Sequence, residues 1–123
     1  MAKKILIIED EKIISELLER KLLREGYGVV VTTNGLDGLA NMKKEKPDLV
    51  LLDIIMPKMG GFEVMEQMIQ DQELKSIPVI VISNSGQPVE IDRVKKMGAK
   101  DWLIKTEFDS QEVLEKVKRQ IEN

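Results

Sequence analysis

Polar side chains stand directly after apolar runs at four places in this sequence of 123 residues. The run from Leu49 to Leu52 is followed by Asp53, although a buried strand has little need of a carboxylate at its tip. Three other apolar runs end in the same way. The polar residues at the four ends are Glu9, Asp10 and Glu11; Asp53; Ser83, Asn84 and Ser85; and Lys105. Carboxylates that converge on one point are typical ligands of a hard cation.

The carboxylates after the first and third runs converge if these two strands are neighbours in a sheet. The tips of neighbouring strands lie about 5 Å apart. Two carboxylates at that separation repel by roughly 3 kcal/mol at an effective dielectric constant near 20, and a cation would relieve this repulsion. A small pocket of acidic oxygens with open positions for water suits Mg²⁺. The acidic residues after these two strands therefore predict a magnesium site.

Strand-like and helix-like segments alternate along the whole chain. Strands are predicted at residues 3–9, 28–33, 49–53, 77–83 and 100–104, and helices at residues 11–25, 35–45, 62–70, 88–97 and 110–121. One face of the first helix is predicted to carry the apolar residues Ile14, Leu17, Leu18 and Leu22. Asn34 stands where an N-cap would begin the second helix, and Gly26 and Gly98 stand where glycine would end a helix.

This alternation predicts an α/β protein of the (βα)5 type. Apolar strand runs separated by amphipathic helices of about 10 to 15 residues indicate a parallel sheet that is covered by helices on both faces. No linker, repeat or low-complexity segment interrupts the pattern, so residues 1–123 are predicted to form one domain. In a doubly wound sheet, ligands bind beyond the carboxyl ends of the strands, and the polar residues lie at those ends.

The composition excludes several classes of activity. The chain has no cysteine and no histidine, so it has no disulfide, no thiolate nucleophile, no Cys/His zinc site and no Ser-His-Asp triad. The formal net charge is −3 and the basic residues are scattered, which gives no indication of direct nucleic-acid binding. The apolar runs are far shorter than the ~20 residues of a membrane span, and the first residues lack the pattern of a signal peptide. We therefore expect a cytoplasmic protein.

Together the motifs resemble the receiver domain of two-component response regulators, of the CheY-like type. The resemblance covers the whole chain and lies in the segments IIEDE, DIIMPKMGG, VIVISN and GAKDWLIK. It implies a flavodoxin-like, three-layer fold whose five parallel strands have the order 2-1-3-4-5. It also implies a phosphorylation-activated signalling switch, which takes a phosphoryl group from a sensor histidine kinase or a phosphotransfer protein. Such a domain is not an enzyme beyond its own phosphorylation and dephosphorylation.

The resemblance also implies roles for single residues. Asp53 would be the phosphoacceptor, and Glu9, Asp10, Asp53 and the main-chain carbonyl of Ile55 would hold Mg²⁺. The donor of the phosphoryl group must be a partner, since this chain has no histidine to carry it.

Three further residues would bind or sense the phosphoryl group. Lys105 and Ser83 would each contact one of its oxygens, and Trp102 stands at the position of the family's aromatic switch residue. Movement of Ser83 toward the phosphoryl group would shift the loop after the fourth strand and let Trp102 turn inward. The surface formed by the fourth helix, fifth strand and fifth helix would then change for a downstream effector, whose identity the sequence does not indicate.

The residue after Lys105 departs from the family pattern. The family has proline there, after a cis bond, whereas this chain has Thr106. A cis bond before a residue other than proline costs about 3–4 kcal/mol. We therefore expect a trans bond between Lys105 and Thr106.

Other departures lie around the predicted phosphorylation site. Asn84 is larger than the small residue that is usual in the family and would narrow access to the site. Gly60 replaces an aspartate and should make its loop more mobile. Ile55 and Ser85 flank the path of an attacking water molecule. Because an apolar Ile55 offers this water no hydrogen bond, we expect a long-lived phosphoryl group.

Plainer interpretations of these residues stay open. Residues 9–11 can be a solvated turn at the positive end of the first helix, Asp53 an ordinary turn residue, Lys105 an exposed lysine, and Ser83 and Trp102 structural residues. The alternative function is a receiver-like interaction module that phosphorylation does not regulate. A flavodoxin-like cofactor binder would need a phosphate-binding loop after the first strand, where the sequence has the acidic segment EDEK.

Overall fold

The computed structural model describes residues 2–84 and 88–122. Ser85, which the sequence places beside the path of attacking water, lies outside these residues. Five strands and five helices alternate: β1 (Lys4–Ile8), α1 (Lys12–Arg24), β2 (Gly28–Thr32), α2 (Gly35–Glu45), β3 (Leu49–Asp53), α3 (Gly61–Ile69), β4 (Val79–Ser83), α4 (Pro88–Lys96), β5 (Asp101–Ile104) and α5 (Ser110–Ile121). Across these two described ranges, no helix has both the length and the apolar character that a membrane span requires.

The five strands form one parallel sheet with the order β2-β1-β3-β4-β5. The predicted fold class and strand order are therefore confirmed. Ile8 pairs with Leu52 between β1 and β3, and Asp53 pairs with Ile82 between β3 and β4. The chain winds in opposite directions on either side of the β1–β3 pair, and ligands bind at such a point in open α/β sheets.

Two hydrophobic cores cover the two faces of the sheet. Alternate residues of β3 point to opposite faces, so that Leu51 packs with residues of α1 and α5, while Leu52 packs with residues of α2 and α3. All five residues of β3 are buried. The last strand residue, Asp53, is therefore held at the end of a segment that is packed from both sides.

The helix ends follow the capping signals in the sequence. The Asn34 side chain accepts a hydrogen bond from the Asp37 N–H at 2.9 Å and caps α2, as predicted. Gly26 and Gly98 have φ angles of +93° and +102°, in the left-handed region that glycine adopts without strain. These two glycines end α1 and α4 and turn the chain toward the next strand.

The prediction that Leu17 lies on the inward face of α1 was wrong. Leu17 is 46% exposed, and the buried residues of α1 are Ser15, Leu18 and Leu22. Ser15 can be buried because its hydroxyl donates to the carbonyl of Lys12 within the same helix, at 3.1 Å. The buried face of α1 therefore includes the polar Ser15 and leaves out the apolar Leu17.

Candidate functional site

Three carboxylates meet at the carboxyl ends of β1 and β3. Glu9, Asp10 and Asp53 each offer a carboxylate oxygen, and these atoms lie within 4.8 Å of one another. Glu9 and Asp53 are 0% and 1% exposed, whereas Asp10 is exposed. The structure therefore brings together the acidic residues that the sequence predicted to converge, in a pocket with one solvent-facing side.

Lys105 reaches into this pocket from the end of β5. Its ammonium nitrogen lies 3.1 Å from Oδ2 of Asp53, 3.0 Å from Oε1 of Glu9 and 2.7 Å from Oε1 of Glu11. The Lys105 side chain is 5% exposed. Its single positive charge contacts three carboxylates, and Asp10 lies close to two of these, so the pocket has an excess of negative charge.

Burial and charge shift the pKa values of these groups. Burial, and next the negative charge of Glu9, raise the pKa of Asp53 to about 7. Burial also raises the pKa of Glu9. Burial alone would lower the pKa of Lys105, but its hydrogen bonds to Glu11, Glu9 and Asp53 raise it above the usual range. Lys105 is therefore positively charged, and the two buried carboxylates resist ionisation together.

One oxygen of Glu9 has no partner among residues 2–84 and 88–122. Oε1 of Glu9 accepts hydrogen bonds from Lys105 and from the N–H of Glu11, both at 3.0 Å, while the buried Oε2 accepts none in this part of the chain. An unpaired buried carboxylate oxygen is unfavourable. Three carboxylates beside a solvent-facing opening are a donor set that fits Mg²⁺, and Oε2 of Glu9 supplies one available lone pair.

The segment between Asp53 and α3 is held close to the end of β3 by main-chain contacts. The Ile55 N–H points to Oδ1 of Asp53 at 3.4 Å, and the Gly61 N–H donates to the Ile54 carbonyl at 2.8 Å. A Cβ at Gly61 would lie 2.5 Å from the carbonyl oxygen of Asp53. Gly61 is thus needed for the close approach of α3 to β3, a role that the sequence analysis missed. The carbonyl of Ile55 stays a predicted metal ligand.

Ser83 lies beside the pocket, on the strand next to Asp53. It follows Ile82, the pairing partner of Asp53, and it is 4% exposed. Its hydroxyl donates to the carboxylate of Glu90 in the first turn of α4. Glu90 could not be recognised as a neighbour of Ser83 from the sequence, because an acidic residue in the first turn of a helix is common for reasons of helix electrostatics alone.

Trp102 lies on the edge strand β5. Its ring packs against the core on the α2–α4 face and is partly buried. The ammonium nitrogens of Lys95 on α4 and Lys116 on α5 lie 4.6 and 5.3 Å from the ring centroid. Trp102 thus bridges the two helices that flank β5, and its role as a switch stays a prediction.

The bond between Lys105 and Thr106 is trans, because the described part of the chain contains no cis peptide bond. The expectation from the sequence is confirmed. Lys105 also donates its main-chain N–H to the carbonyl of Ser83 at 2.8 Å. This bond continues the β4–β5 ladder by one residue and fixes the origin of the lysine side chain without a proline.

Comparisons with known proteins agree with this arrangement. The sequence model of the family described as response regulator receiver domain matches residues 5–118. Protein PilH of Pseudomonas aeruginosa is 40% identical over 104 residues, which are 83% of this chain and 84% of PilH. The alkaline phosphatase synthesis transcriptional regulatory protein PhoP of Bacillus subtilis is 37% identical over 120 residues, which are 96% of this chain and 48% of PhoP.

A solved structure has the same fold over nearly its full length. The chemotaxis protein CheY4 of Vibrio cholerae superimposes with a TM-score of 0.90 and 27% identity, over 98% of this chain and 99% of that one. The family match covers more than nine-tenths of the sequence, from the first strand into the last helix. The chain therefore belongs to the response regulator receiver domain family.

Proposed function

We propose that residues 1–123 form a single receiver domain that acts as a phosphorylation-activated switch in a two-component system. The observation that carries this proposal is the pocket in which Lys105 lies 3.0–3.1 Å from both Glu9 and Asp53, with Asp10 nearby. Buried carboxylates with raised pKa values are unfavourable for the fold. A site that binds a cation and a phosphoryl group explains why they are present.

Asp53 would be the nucleophile. One of its carboxylate oxygens attacks the phosphorus of a phosphohistidine on the partner, a P–O bond forms, the P–N bond breaks, and the leaving imidazole takes up a proton. The transition state is loose, so alignment and fixed positive charge contribute most of the acceleration. The doubly packed β3 aligns Asp53, while Lys105 and the Ile55 N–H lie beside its two oxygens.

Glu9, Asp10, Asp53 and the carbonyl of Ile55 would hold Mg²⁺. When bound, Mg²⁺ would neutralise part of the carboxylate charge and stabilise negative charge on the phosphoryl oxygens. Oε2 of Glu9 would face the metal, because Oε1 is already used by Lys105 and by the N–H of Glu11. The exposure of Asp10 leaves this side of the pocket open to solvent.

Phosphorylation would change the surface formed by α4, β5 and α5. Ser83 would turn its hydroxyl toward a phosphoryl oxygen, and Trp102 would move inward from its position between Lys95 and Lys116. A preference of a few kcal/mol for the active form shifts its population by orders of magnitude. A downstream effector would then bind one form of this surface.

The partner that supplies the phosphoryl group would be a sensor histidine kinase or a phosphotransfer protein. Two large apolar side chains are available to such a partner close to the pocket, since Ile13 in the first turn of α1 is 81% exposed and Ile55 is 70% exposed. The chain would act in the cytoplasm, would not bind nucleic acid directly, and would catalyse only its own phosphorylation and dephosphorylation.

A two-step experiment tests the proposal. Purified protein is incubated with Mg²⁺ and acetyl phosphate, and mass spectrometry is used to detect the gain of one phosphoryl group. Trp102 fluorescence is then titrated with Mg²⁺ and with beryllofluoride, a phosphoryl mimic. We expect a mass gain and a saturable fluorescence change in the wild type, and neither in Asp53→Asn.

The controls separate the alternatives. Asp48→Asn removes a carboxylate from the opposite end of β3, where it accepts a hydrogen bond from the Lys4 N–H, and should leave both signals intact. A wild-type protein that gains no phosphoryl group and does not bind beryllofluoride would support the alternative, an interaction module that phosphorylation does not regulate. Phosphorylation without a fluorescence change would remove only the proposed role of Trp102.

A further inference from the structure

The hydroxyl of Ser83 is engaged by a carboxylate that lies outside the acidic pocket. Its Oγ donates a hydrogen bond to Oε1 of Glu90, in the first turn of α4. Ser83 is buried and Glu90 is partly buried, so this bond is sheltered from competing water. It connects the end of β4 directly to the helix that follows.

A glutamate in the first turn of a helix does not need a partner in the sheet. The N-terminal end of a helix favours negative charge even when the side chain is solvated, and Glu63 in the first turn of α3 is exposed. Glu90 instead reaches back seven residues along the chain to the buried end of β4. The helix electrostatics therefore explain the residue type but not this contact.

The hydroxyl is the movable part of Ser83. The main chain of Ser83 is held by pairing with Ile104 and by the hydrogen bond from the Lys105 N–H to its carbonyl. Rotation about χ1 redirects only the Oγ atom. A serine hydroxyl has one proton and donates it to one acceptor at a time. It cannot donate to Glu90 and to a phosphoryl oxygen on Asp53 simultaneously.

We propose that Glu90 is a positioning residue that holds the Ser83 hydroxyl in the unphosphorylated protein and competes for it with the phosphoryl group on Asp53. This inference rests on the proposed role of Asp53 as phosphoacceptor. When the Ser83 hydroxyl donates its hydrogen bond to a phosphoryl oxygen instead, it keeps its proton but releases Glu90, and the first turn of α4 loses this connection to β4. The strength of the Ser83–Glu90 hydrogen bond then sets how readily the phosphorylated conformation forms.

The test is the affinity for beryllofluoride in the presence of Mg²⁺, measured by calorimetry. Glu90→Ala should lower the concentration at half-saturation by about threefold to tenfold, because the competing acceptor is gone. Asp92→Ala is the matched control, since Asp92 is exposed on the same helix and carries the same charge. In a Ser83→Ala background, Glu90→Ala should have no further effect.

Two results would overturn the inference. One is an equal gain of affinity in Glu90→Ala and Asp92→Ala, which would show a general effect of charge. The other is an undiminished effect of Glu90→Ala when Ser83 is absent. Failure of the proposed function gives a different result, because the wild type would then not bind beryllofluoride at all.

If the wild type does not bind beryllofluoride, urea unfolding without ligand still tests whether Ser83 and Glu90 interact. Ser83→Ala and Glu90→Ala should each lower the unfolding midpoint, and the double variant should lower it by less than the sum of the two changes. Strictly additive changes would mean that the two side chains do not interact, and the inference would be wrong.

Discussion

Replacement of Asp53 by asparagine should make the metal-free protein more stable, although it removes the proposed phosphoacceptor. Asp53 is 1% exposed, and its carboxylate lies within 4.8 Å of those of Glu9 and Asp10. Asparagine has nearly the same shape and no charge. The substitution therefore removes the repulsion and the burial of a charge without opening a cavity.

Four contributions act on the charge of Asp53, namely two repulsions from carboxylates, one attraction by Lys105 and the cost of burial. At an effective dielectric constant near 20, a carboxylate at the 4.8 Å limit of the cluster repels it by about 3 kcal/mol, whereas Lys105 at 3.1 Å attracts it by about 5 kcal/mol. The repulsion from the exposed Asp10 is partly screened, so these contributions nearly cancel. The burial of the charge remains, and we expect Asp53→Asn to raise the free energy of unfolding by about 2 kcal/mol.

Urea unfolding followed by circular dichroism measures this difference at about pH 8 in the presence of a chelator. Added Mg²⁺ should then stabilise the wild type by about 3 kcal/mol at a concentration one hundred times its dissociation constant. Asp53→Asn lacks one of the proposed carboxylate ligands and should gain less, so its advantage should shrink or reverse. A variant that is less stable than the wild type in the chelator would refute the electrostatic reasoning.

The same variant should show a characteristic dependence on pH. The pKa of Asp53 is raised from 3.8 to about 7 in the folded protein, so the folded state binds more protons than the unfolded chain between these values. The stability of the wild type should therefore fall as the pH rises through this window. The advantage of Asp53→Asn should be small near pH 4 and complete above about pH 7. An advantage of equal size at both ends would exclude ionisation as its source.

Three further substitutions test other parts of the structure. Gly61→Ala should lower the free energy of unfolding by about 2 kcal/mol, because its Cβ would lie 2.5 Å from the Asp53 carbonyl oxygen. Gly28→Ala is the control: the nearest atom to its Cβ is 3.8 Å away, so the urea midpoint should stay unchanged or rise slightly. Asn34→Ala should lower the free energy of unfolding by about 1 kcal/mol through loss of the α2 cap, and an unchanged midpoint would contradict this. Ile55→Asn should shorten the lifetime of the phosphorylated protein several-fold after the phosphodonor is removed, since the asparagine amide can hydrogen-bond the attacking water. The wild type should keep its phosphoryl group for a long time, and a half-life of only seconds would contradict this expectation.

The fold and the acidic pocket could be predicted because strong local signals coincide with them. The β3 run is apolar on both faces, which is typical of a parallel strand between two layers of helices, and Asp53 follows it without a break. The carboxyl ends of parallel strands lie at the same edge of the sheet, so the polar residues that follow the strands lie there together. The convergence of Glu9, Asp10, Asp53 and Lys105 thus follows from the strand pattern together with the strand order.

The details that escaped prediction depend on side-chain geometry rather than on pattern. The polar Ser15 takes an inward position of α1 that an apolar count gives to Leu17, because its hydroxyl is satisfied within the helix. The Ser83–Glu90 hydrogen bond depends on the distance between the end of β4 and the start of α4. Residue type and spacing do not determine such distances.

The large sequence separation between the residues of the pocket also has a consequence for synthesis on the ribosome. Lys105 lies 96 residues after Glu9 in the chain, so it leaves the ribosome well after the first carboxylate of the pocket. A still-growing chain in which β5 has not yet been made would contain Asp53, the proposed acceptor, without the ammonium group of Lys105 and without the edge strand. Competence to receive a signal would then begin only when translation of the domain is almost finished.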